Sequence, residues 1–195
     1  MPVDFSVADL DRRPFQHEGL RLREIDLARD IPLLHRWFAL PYAGFWGMQH
    51  KTEQEVREVY ATLVGSGHAM AYTGLWNGEP AFLVECYDPV HDPLGRLYPV
   101  MPGDVGMHFF VGPARVPQRG HTRRVFRTLM TFIFERLWAH RVVVEPDVRN
   151  DKVHVLNREM GFEYQGTVSL PEKIAALAFC TRERFTLAQR EELVP

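Results

Sequence analysis

A short arginine-rich segment has the residue types and spacing to bind an anion. Residues 118–124 (QRGHTRR) lie between a predicted strand and a long predicted helix. The first turn of a helix offers unpaired N–H groups and a positive dipole end, which favour phosphate. Gly120 would allow the backbone to approach such a ligand closely. Five guanidinium groups suited to phosphate oxygens surround it: Arg115, Arg119, Arg123, Arg124 and Arg127. The alternative interpretation is a solvated basic helix face.

The overall composition shows that any such anion site must be local. The chain has 195 residues and a mass of 22.6 kDa, which is the size of one domain. Hydrophobic residues make up 46% and charged residues 25%, the balance of a globular protein rather than a disordered or fibrous one. With 23 basic and 25 acidic residues the net charge is −2, which argues against a general nucleic-acid binder.

The two cysteines, Cys86 and Cys180, lie in apolar stretches and are too few for a disulfide scaffold. No Cys/His spacing typical of a metal site accompanies them, so we expect reduced core residues and no metal. No apolar run approaches the ~18 residues of a membrane span, and the charged N-terminus lacks the apolar region of a signal peptide. The sequence therefore predicts a cytoplasmic protein with neither a membrane nor a nucleic acid as partner.

The elements that must position the arginine segment alternate between strand and helix. Buried-strand and amphipathic-helix patterns succeed one another in the second half of the chain, and a glycine signal at Gly161 closes the shorter helix. The β-α-β-α-β order predicts a mixed α/β fold. The predicted strands cover 106–112, 142–146, 163–170 and 174–181, and the predicted helices cover 125–138 and 151–160.

The first half contains sharper local signals. Asp30 is predicted to cap a helix with Pro32 in its first turn, and residues 52–55 (TEQE) form a capping box at the start of the next helix. An Asn-Gly pair at 77–78 predicts a hairpin turn between two strands. The four-proline loop over 88–104 is long enough to be functional.

These elements and their motifs resemble the GNAT N-acetyltransferase superfamily. The resemblance covers residues 104–170 best and rests on the strand, the Arg-Gly loop, the long helix and the second strand, followed by Asn150, Asn157 and a Gly-Phe pair at 161–162. It implies an α/β (α+β) fold with a mixed central sheet of about seven strands and flanking helices. It also implies a V-shaped splay between the two central parallel strands.

The superfamily's pyrophosphate pattern, Arg/Gln-x-x-Gly-x-Gly/Ala, is matched only in part. Residues 117–122 (PQRGHT) share the central glycine, while the first position is Pro and the last is Thr. The resemblance implies an acyltransferase domain over 19–185, preceded by an N-terminal arm over 1–18 and followed by a C-terminal tail over 186–195.

Four segments resemble one branch of the superfamily more specifically: residues 45–46 (FW), 103–108 (GDVGMH), 144–150 (VEPDVRN) and 161–162 (GF). This branch contains the acyltransferases of aerobactin-, mycobactin- and desferrioxamine-type siderophore biosynthesis. The resemblance implies acylation of N-hydroxycadaverine or N6-hydroxylysine to a hydroxamate. The donor would be acetyl-CoA or succinyl-CoA, and the sequence leaves that choice and the oligomeric state open.

Two residues of these motifs are the candidates for catalysis. The resemblance implies that the pantetheine of acyl-CoA lies between the strands at 108–111 and 142–145, which places His108 and Glu145 near the thioester. Either residue could act as a general base or anchor the substrate. We assign the base role to Glu145 and orientation or proton relay to His108. The alternative, two buried polar residues with structural roles, stays open.

The resemblance also implies the residues that bind the two substrates. Phe45, Trp46 and Asp104 would bind the acceptor, because aromatic rings suit a methylene chain and Asp104, or Glu85, could neutralise a distal ammonium. The alternatives are that Trp46 packs in the core and that the two carboxylates are solvated or cap a turn. Many members have a tyrosine at Asn157 that protonates the leaving thiolate; Asn is no acid, so water would take that role. The residues implied for acyl-CoA are Phe110, Val111, Arg119, Gly120, His121, Thr122, Arg123, Asn150 and Asn157.

Two alternative functions remain at this stage. An aminoglycoside or polyamine N-acetyltransferase would need an acidic acceptor cleft, to which the loop over 88–104 could contribute three carboxylates, Asp88, Asp92 and Asp104. A non-catalytic acyl-CoA-binding regulator would explain the incomplete pyrophosphate pattern. The presence of both candidate catalytic residues argues against the regulator.

Overall fold

The computed structural model describes residues 13–114 and 118–192. Over these residues, eight strands form one sheet in the order β1-β2-β3-β4-β5-β6-β8-β7. The strands are β1 (Phe15–His17), β2 (Leu20–Glu24), β3 (Ala69–Trp76), β4 (Glu79–Tyr87), β5 (Asp104–Val111), β6 (Arg141–Val144), β7 (Glu163–Ser169) and β8 (Ile174–Thr181). The helices are α1 (Leu27–Phe38), α2 (Glu53–Gly65), α3 (His121–Arg136), α4 (Asp151–Glu159) and α5 (Arg182–Glu192).

The sheet mixes parallel and antiparallel pairs, which confirms the predicted α/β class. β1, β2 and β3 pair antiparallel, as do β6, β8 and β7, whereas β5 and β6 are parallel. The parallel ladder joins residues 104–106 to 141–143 and ends at the pair Gly106–Val143, while β5 continues to Val111.

The chain divides into two compact units. The first unit contains residues 13–86 and 108–125, apart from the undescribed 115–117, and the second contains residues 87–107 and 126–192. The boundary passes through β5, so that His108 belongs to the first unit and Asp104 to the second.

The first unit begins its helices at capping residues. Asp26, rather than the predicted Asp30, caps α1, because its carboxylate accepts from the N–H groups of Ala28 and Arg29. Asp30 lies one turn inside the helix, buried against Arg23. The capping box predicted for α2 is present in both directions, and the hairpin turn at 77–78 joins β3 to β4 as predicted.

Aromatic side chains form the core of the first unit. Trp37 and Phe38 from α1, Tyr60 from α2 and Phe110 from β5 are all buried. Phe110 stacks on Trp37 and meets the Phe38 ring edge-on. This packing holds α1 and α2 against the strands, because large rings bury much apolar area.

One buried cluster of the second unit is mainly aliphatic. Leu94, Val143 and Leu177 are buried together, and Tyr98 and Phe179 pack beside them. Two 3₁₀ turns, Pro89–His91 and Pro93–Arg96, give the predicted long loop a defined structure.

The ends of the predicted domain contain regular structure. β1 lies within the predicted arm and adds an eighth strand to the expected seven, and α5 runs through the first part of the predicted tail. Residues 1–12 of the arm and 193–195 of the tail lie outside the described residues. Among the described helices, none has the length and apolar character needed to cross a membrane.

Candidate active site

Three polar and aromatic side chains surround His108 in the first unit, and we name the four residues together the histidine cluster. Its members are Trp46, Tyr60, Glu85 and His108. The Nδ1 atom of His108 lies 3.3 Å from Oε2 of Glu85, and the Tyr60 hydroxyl donates to Oε1 of Glu85 at 2.7 Å. Glu85 is 7% exposed, whereas the His108 side chain is 37% exposed. The buried carboxylate therefore supports an imidazole that solvent can reach.

Four separate elements deliver these side chains. Trp46 ends a 3₁₀ turn over Pro41–Trp46, Tyr60 comes from the buried face of α2, Glu85 from β4 and His108 from β5. The rings of Trp46 and His108 meet edge-on with centroids 6.5 Å apart, and Trp46 stacks on Phe38. Trp46 thus connects the histidine cluster to the aromatic core.

Tyr60 is held as a neutral donor. Its burial and the adjacent Glu85 carboxylate keep the pKa of the Tyr60 hydroxyl well above its usual value. The buried indole N–H of Trp46 faces the Tyr60 hydroxyl and offsets a small part of that rise in pKa.

The other predicted aromatic and pantetheine residues lie near the same core. Phe45 is 52% exposed. Phe110 is buried between Trp37, Tyr42 and Trp46. The carbonyl of Val111 accepts from the Tyr42 hydroxyl at 3.3 Å, so a pantetheine amide would have to compete for it.

In the second unit, Glu145 is buried between two donors; we name Tyr87, Glu145 and Lys173 the glutamate cluster. The Tyr87 hydroxyl donates to Oε2 of Glu145 at 3.0 Å, and Nζ of Lys173 lies 3.2 Å from Oε1. Glu145 is 4% exposed. Burial and the Glu145 charge hold the pKa of Tyr87 well above its usual value, which keeps Tyr87 a donor.

Gly106, the second glycine of the GDVGMH segment, has a packing role. The Tyr87 ring lies over Gly106, where an added Cβ would come within 2.2 Å of a ring atom. Any larger side chain would displace the ring that donates to Glu145. The glycine therefore permits the close approach that completes the glutamate cluster.

Asp104 is engaged by the protein itself. Its two oxygens accept from Nε and Nη2 of Arg141, each at 2.7 Å, and Oδ2 also accepts from the Tyr98 hydroxyl and the Met101 N–H. Asp104 is 3% exposed. With both oxygens paired and buried, Asp104 ties β5 to β6.

Helix α4 contains a second internal network. Asn157 is 1% exposed and its amide donates to the Tyr164 hydroxyl at 3.0 Å, while Nδ1 of His154 lies 2.7 Å from the same hydroxyl. Nε2 of His154 faces two backbone carbonyls, which makes Nδ1 the acceptor for Tyr164. Asn150 is the N-cap residue of α4, without a side-chain capping bond. Asn157 therefore serves a buried network, whereas Asn150 remains partly accessible.

The arginine segment contains the start of α3, because the helix begins at His121 rather than at the predicted residue 125. Gly120 has a φ of 78°, and its carbonyl accepts from the Arg124 N–H. Arg119 and Arg123 are exposed, and His121 and Thr122 are half-buried. His121 and Arg124 both contact Trp76 of β3, and burial next to Arg124 lowers the pKa of His121. Arg115, also predicted here, lies outside the described residues.

Both cysteines are buried free thiols. Burial, reinforced by the Glu85 charge, raises the pKa of the Cys86 thiol far above neutrality, and burial raises the pKa of Cys180 to about 12. A thiol that stays protonated is a poor nucleophile. Neither thiol is therefore suited to act as a nucleophile.

Four functional candidates were missed or undervalued at the sequence level: Tyr60, Tyr87, Glu85 and Lys173. From the sequence, Glu85 was expected only to neutralise a distal ammonium group of the acceptor. The available signal was a charged residue within the apolar run of β4 (residues 81–87, AFLVECY), where burial demands a partner. No comparable signal marks Lys173, which lies in a polar turn before β8.

Comparison with known proteins places these features in a family. Residues 26–170 match the model of an acetyltransferase (GNAT) domain. An N-hydroxyputrescine acetyltransferase of Acinetobacter baumannii is 32% identical over 84% of this chain and 78% of its own length. A hydroxyornithine transacylase of Ajellomyces capsulatus is 27% identical over 88% of this chain, which spans 40% of that longer protein.

Solved structures share the fold. A protein of Bacillus halodurans superposes with a TM-score of 0.85 at 24% identity, covering 93% of this chain and 96% of that one. The aminoglycoside enzyme AAC(6')-Ib, solved with paromomycin and acetyl-CoA, superposes with a TM-score of 0.76 at 23% identity, covering 87% and 97%. The family match and the A. baumannii relative confirm the resemblance found in the sequence: this chain belongs to the GNAT acetyltransferase family, in the branch of the hydroxylamine acyltransferases.

Proposed function

We propose that the protein transfers an acyl group from acyl-CoA to the hydroxylated nitrogen of a diamine or amino-acid side chain, forming a hydroxamate for siderophore biosynthesis. The observation that carries this proposal is the 32% identity, over 84% of the chain, to an enzyme named for a hydroxylated diamine. N-hydroxyputrescine therefore joins N-hydroxycadaverine and N6-hydroxylysine as a candidate acceptor.

The nucleophile determines what the site must do. An alkyl amine has a pKa of ~10.4 and arrives as an ammonium ion. A hydroxylamine nitrogen is far less basic, because its oxygen withdraws electron density, so it arrives neutral. Its lone pair attacks the thioester carbonyl, the C–N bond forms and the C–S bond breaks. The nitrogen loses one proton, and the departing CoA thiolate gains one.

The contacts of the two candidates favour His108 as the group that receives this proton. Glu145, the base expected from the sequence, is held by a lysine ammonium and a tyrosine hydroxyl. His108 is half-exposed and paired with a carboxylate that would stabilise an imidazolium ion. We propose a substrate-orienting role for Glu145, so that the two sequence-level roles are exchanged.

The donor is acyl-CoA, and we propose that its pyrophosphate binds at the start of α3. Arg119, Arg123 and the backbone after Gly120 provide exposed donors there. An aminoglycoside acceptor is not favoured. The three acids that could have lined a polycation cleft serve the loop itself: Asp88 and Asp92 cap the 3₁₀ turns, and Asp104 pairs with Arg141.

The test is thiol release from acetyl-CoA and succinyl-CoA, combined with the ferric-hydroxamate colour reaction. Acceptors would be N-hydroxyputrescine, N-hydroxycadaverine, N6-hydroxylysine, putrescine, cadaverine and kanamycin. We expect kcat/KM for one hydroxylated acceptor to exceed that of its parent amine at least ~10-fold, the scale on which a single recognised group discriminates. Equal or better turnover of a plain amine or kanamycin would contradict the proposal.

A further inference from the structure

Glu85 is a carboxylate buried among apolar residues of β4. It is 7% exposed in the middle of β4, with Val84 and Cys86 on either side fully buried. Burying a carboxylate is costly unless partners satisfy it. Both of its oxygens have a partner within the first unit: Tyr60 at Oε1 and His108 at Oε2.

The contact with Glu85 selects one tautomer of His108. An ionised carboxylate only accepts hydrogen bonds, so the Nδ1 atom facing it must carry a hydrogen. In the neutral ring the basic lone pair then lies on Nε2, at the opposite side of the imidazole. If the carboxylate were absent, this contact would favour neither tautomer of His108 and neither orientation of its ring.

Tyr60 fixes the direction of the carboxylate. Its hydroxyl stays protonated and holds Oε1, which leaves Oε2 directed at His108. The Tyr60 ring stacks on Phe38, and Phe38 also contacts the rings of Trp46 and Phe110. Packing in the aromatic core therefore holds Tyr60, Tyr60 holds the Glu85 carboxylate, and the carboxylate orients the imidazole.

We propose that Glu85 is the positioning residue of the acyl transfer: it holds His108 with Nδ1–H toward β4 so that Nε2 accepts the proton of the attacking nitrogen. This inference rests on the proposed function. In the step, the N–H bond of the nucleophile breaks as the C–N bond forms, and the proton moves to Nε2. The resulting imidazolium is paired with Glu85, and it returns the proton to solvent or to the CoA thiolate.

The kinetic test is a double-mutant cycle of Glu85→Gln and His108→Gln, measured with the acceptor that the wild type turns over. Glu79→Gln, an exposed glutamate on the same strand, is the matched control. We expect Glu85→Gln to lower kcat about 10- to 100-fold, less than the ~10⁴-fold effect of the carboxylate in a serine-protease triad, with an unchanged KM for acyl-CoA. In the His108→Gln background the same change should cost less than about twofold, because Glu85 acts only through His108.

A second measurement keeps the inference separate from the substrate assignment. The ¹⁵N chemical shifts of the His108 imidazole, assigned by comparison with His108→Gln, report the tautomer without any turnover. The wild type should show Nδ1–H at pH ~8, and Glu85→Gln and Tyr60→Phe should weaken or remove that preference. An Nε2–H tautomer in the wild type, or equal kinetic losses from Glu85→Gln in both backgrounds, would overturn the inference. Absence of turnover with every hydroxylamine would instead refute the proposed function and leave the tautomer result to decide.

Discussion

At the residue scale, the two candidate catalytic side chains have opposite surroundings. His108 faces a carboxylate, and Glu145 faces an ammonium and a hydroxyl. Both residues belong to motifs visible in the sequence, but only the structure shows that one has an acidic partner and the other a basic partner. Chemical roles follow from such partners rather than from residue type.

A comparison of acceptors tests this exchange of roles. A plain amine must lose an ammonium proton before attack, whereas a hydroxylamine need not, so loss of the true base should harm the amine reaction more. We expect His108→Gln to cost about 100-fold with the hydroxylated acceptor and about 1,000-fold with its parent amine, within the range of general base catalysis. Glu145→Gln should cost a similar factor with both. The reverse pattern would restore Glu145 as the base; kcat/KM measured for each variant with the two acceptors decides.

At the element scale, a buried ion pair joins the start of α1 to β2 and β3. Both oxygens of Asp30 accept from Arg23 at 2.7 Å, and Thr73 and the Asp26 N–H also donate to Oδ2. Burial alone would raise the pKa of Asp30, but these donors outweigh it and lower the pKa below its usual value. This ion pair therefore fixes the start of α1, the helix that contributes Trp37 and Phe38 to the aromatic core.

The depressed pKa of Asp30 predicts an acid-sensitive contribution to stability. A carboxylate with a lowered folded-state pKa stabilises the fold above its unfolded pKa of ~3.9, and loses that contribution as the pH falls through the folded value. We expect Asp30→Asn to lower the free energy of unfolding by about 3 kcal/mol at pH 7, because it leaves Arg23 without its counterion. In urea unfolding, the difference from wild type should shrink below pH ~4. A pH-independent difference would show that the charge is not responsible; Glu79→Gln serves as control.

At the scale of the whole molecule, the charge distribution differs from the net charge. The chain carries −2 overall, yet exposed arginines cluster at the start of α3. A local basic site on a weakly acidic protein should attract a polyanion at short range, within the ~8 Å Debye length of physiological salt.

Binding of acyl-CoA should therefore stabilise the protein through this cluster. At 100 times its Kd, a ligand that binds only the folded state adds about 2.7 kcal/mol, which thermal unfolding detects as a higher Tm. We expect Arg119→Ala combined with Arg123→Ala to weaken acetyl-CoA binding about 10-fold and to reduce its dependence on salt. The exposed Arg190→Ala should change neither. An unaltered Kd in the double variant, measured by calorimetry, would place the pyrophosphate elsewhere.

Much of the element order could be read from the sequence, because the signals are local. The capping box at 52–55, the hairpin turn at 77–78 and the glycine after α4 each depend on neighbouring residues and are present. The motifs around His108 and Glu145 likewise indicated the family, which the comparisons confirm. The local pattern gave the wrong N-cap for α1, because two aspartates lie four residues apart there and Asp26 rather than Asp30 caps the helix.

The partners that define the chemistry were decided only by the tertiary structure. Glu85 meets Tyr60 and His108 across 25 and 23 residues of chain, Lys173 meets Glu145 across 28, and Arg141 meets Asp104 across 37. Side-chain pairs of this kind depend on strand register and on how helices pack against the sheet, which no short pattern encodes. The sequence by itself determined the family and the candidate residues of the site. The folded chain determined which partners each of these residues has.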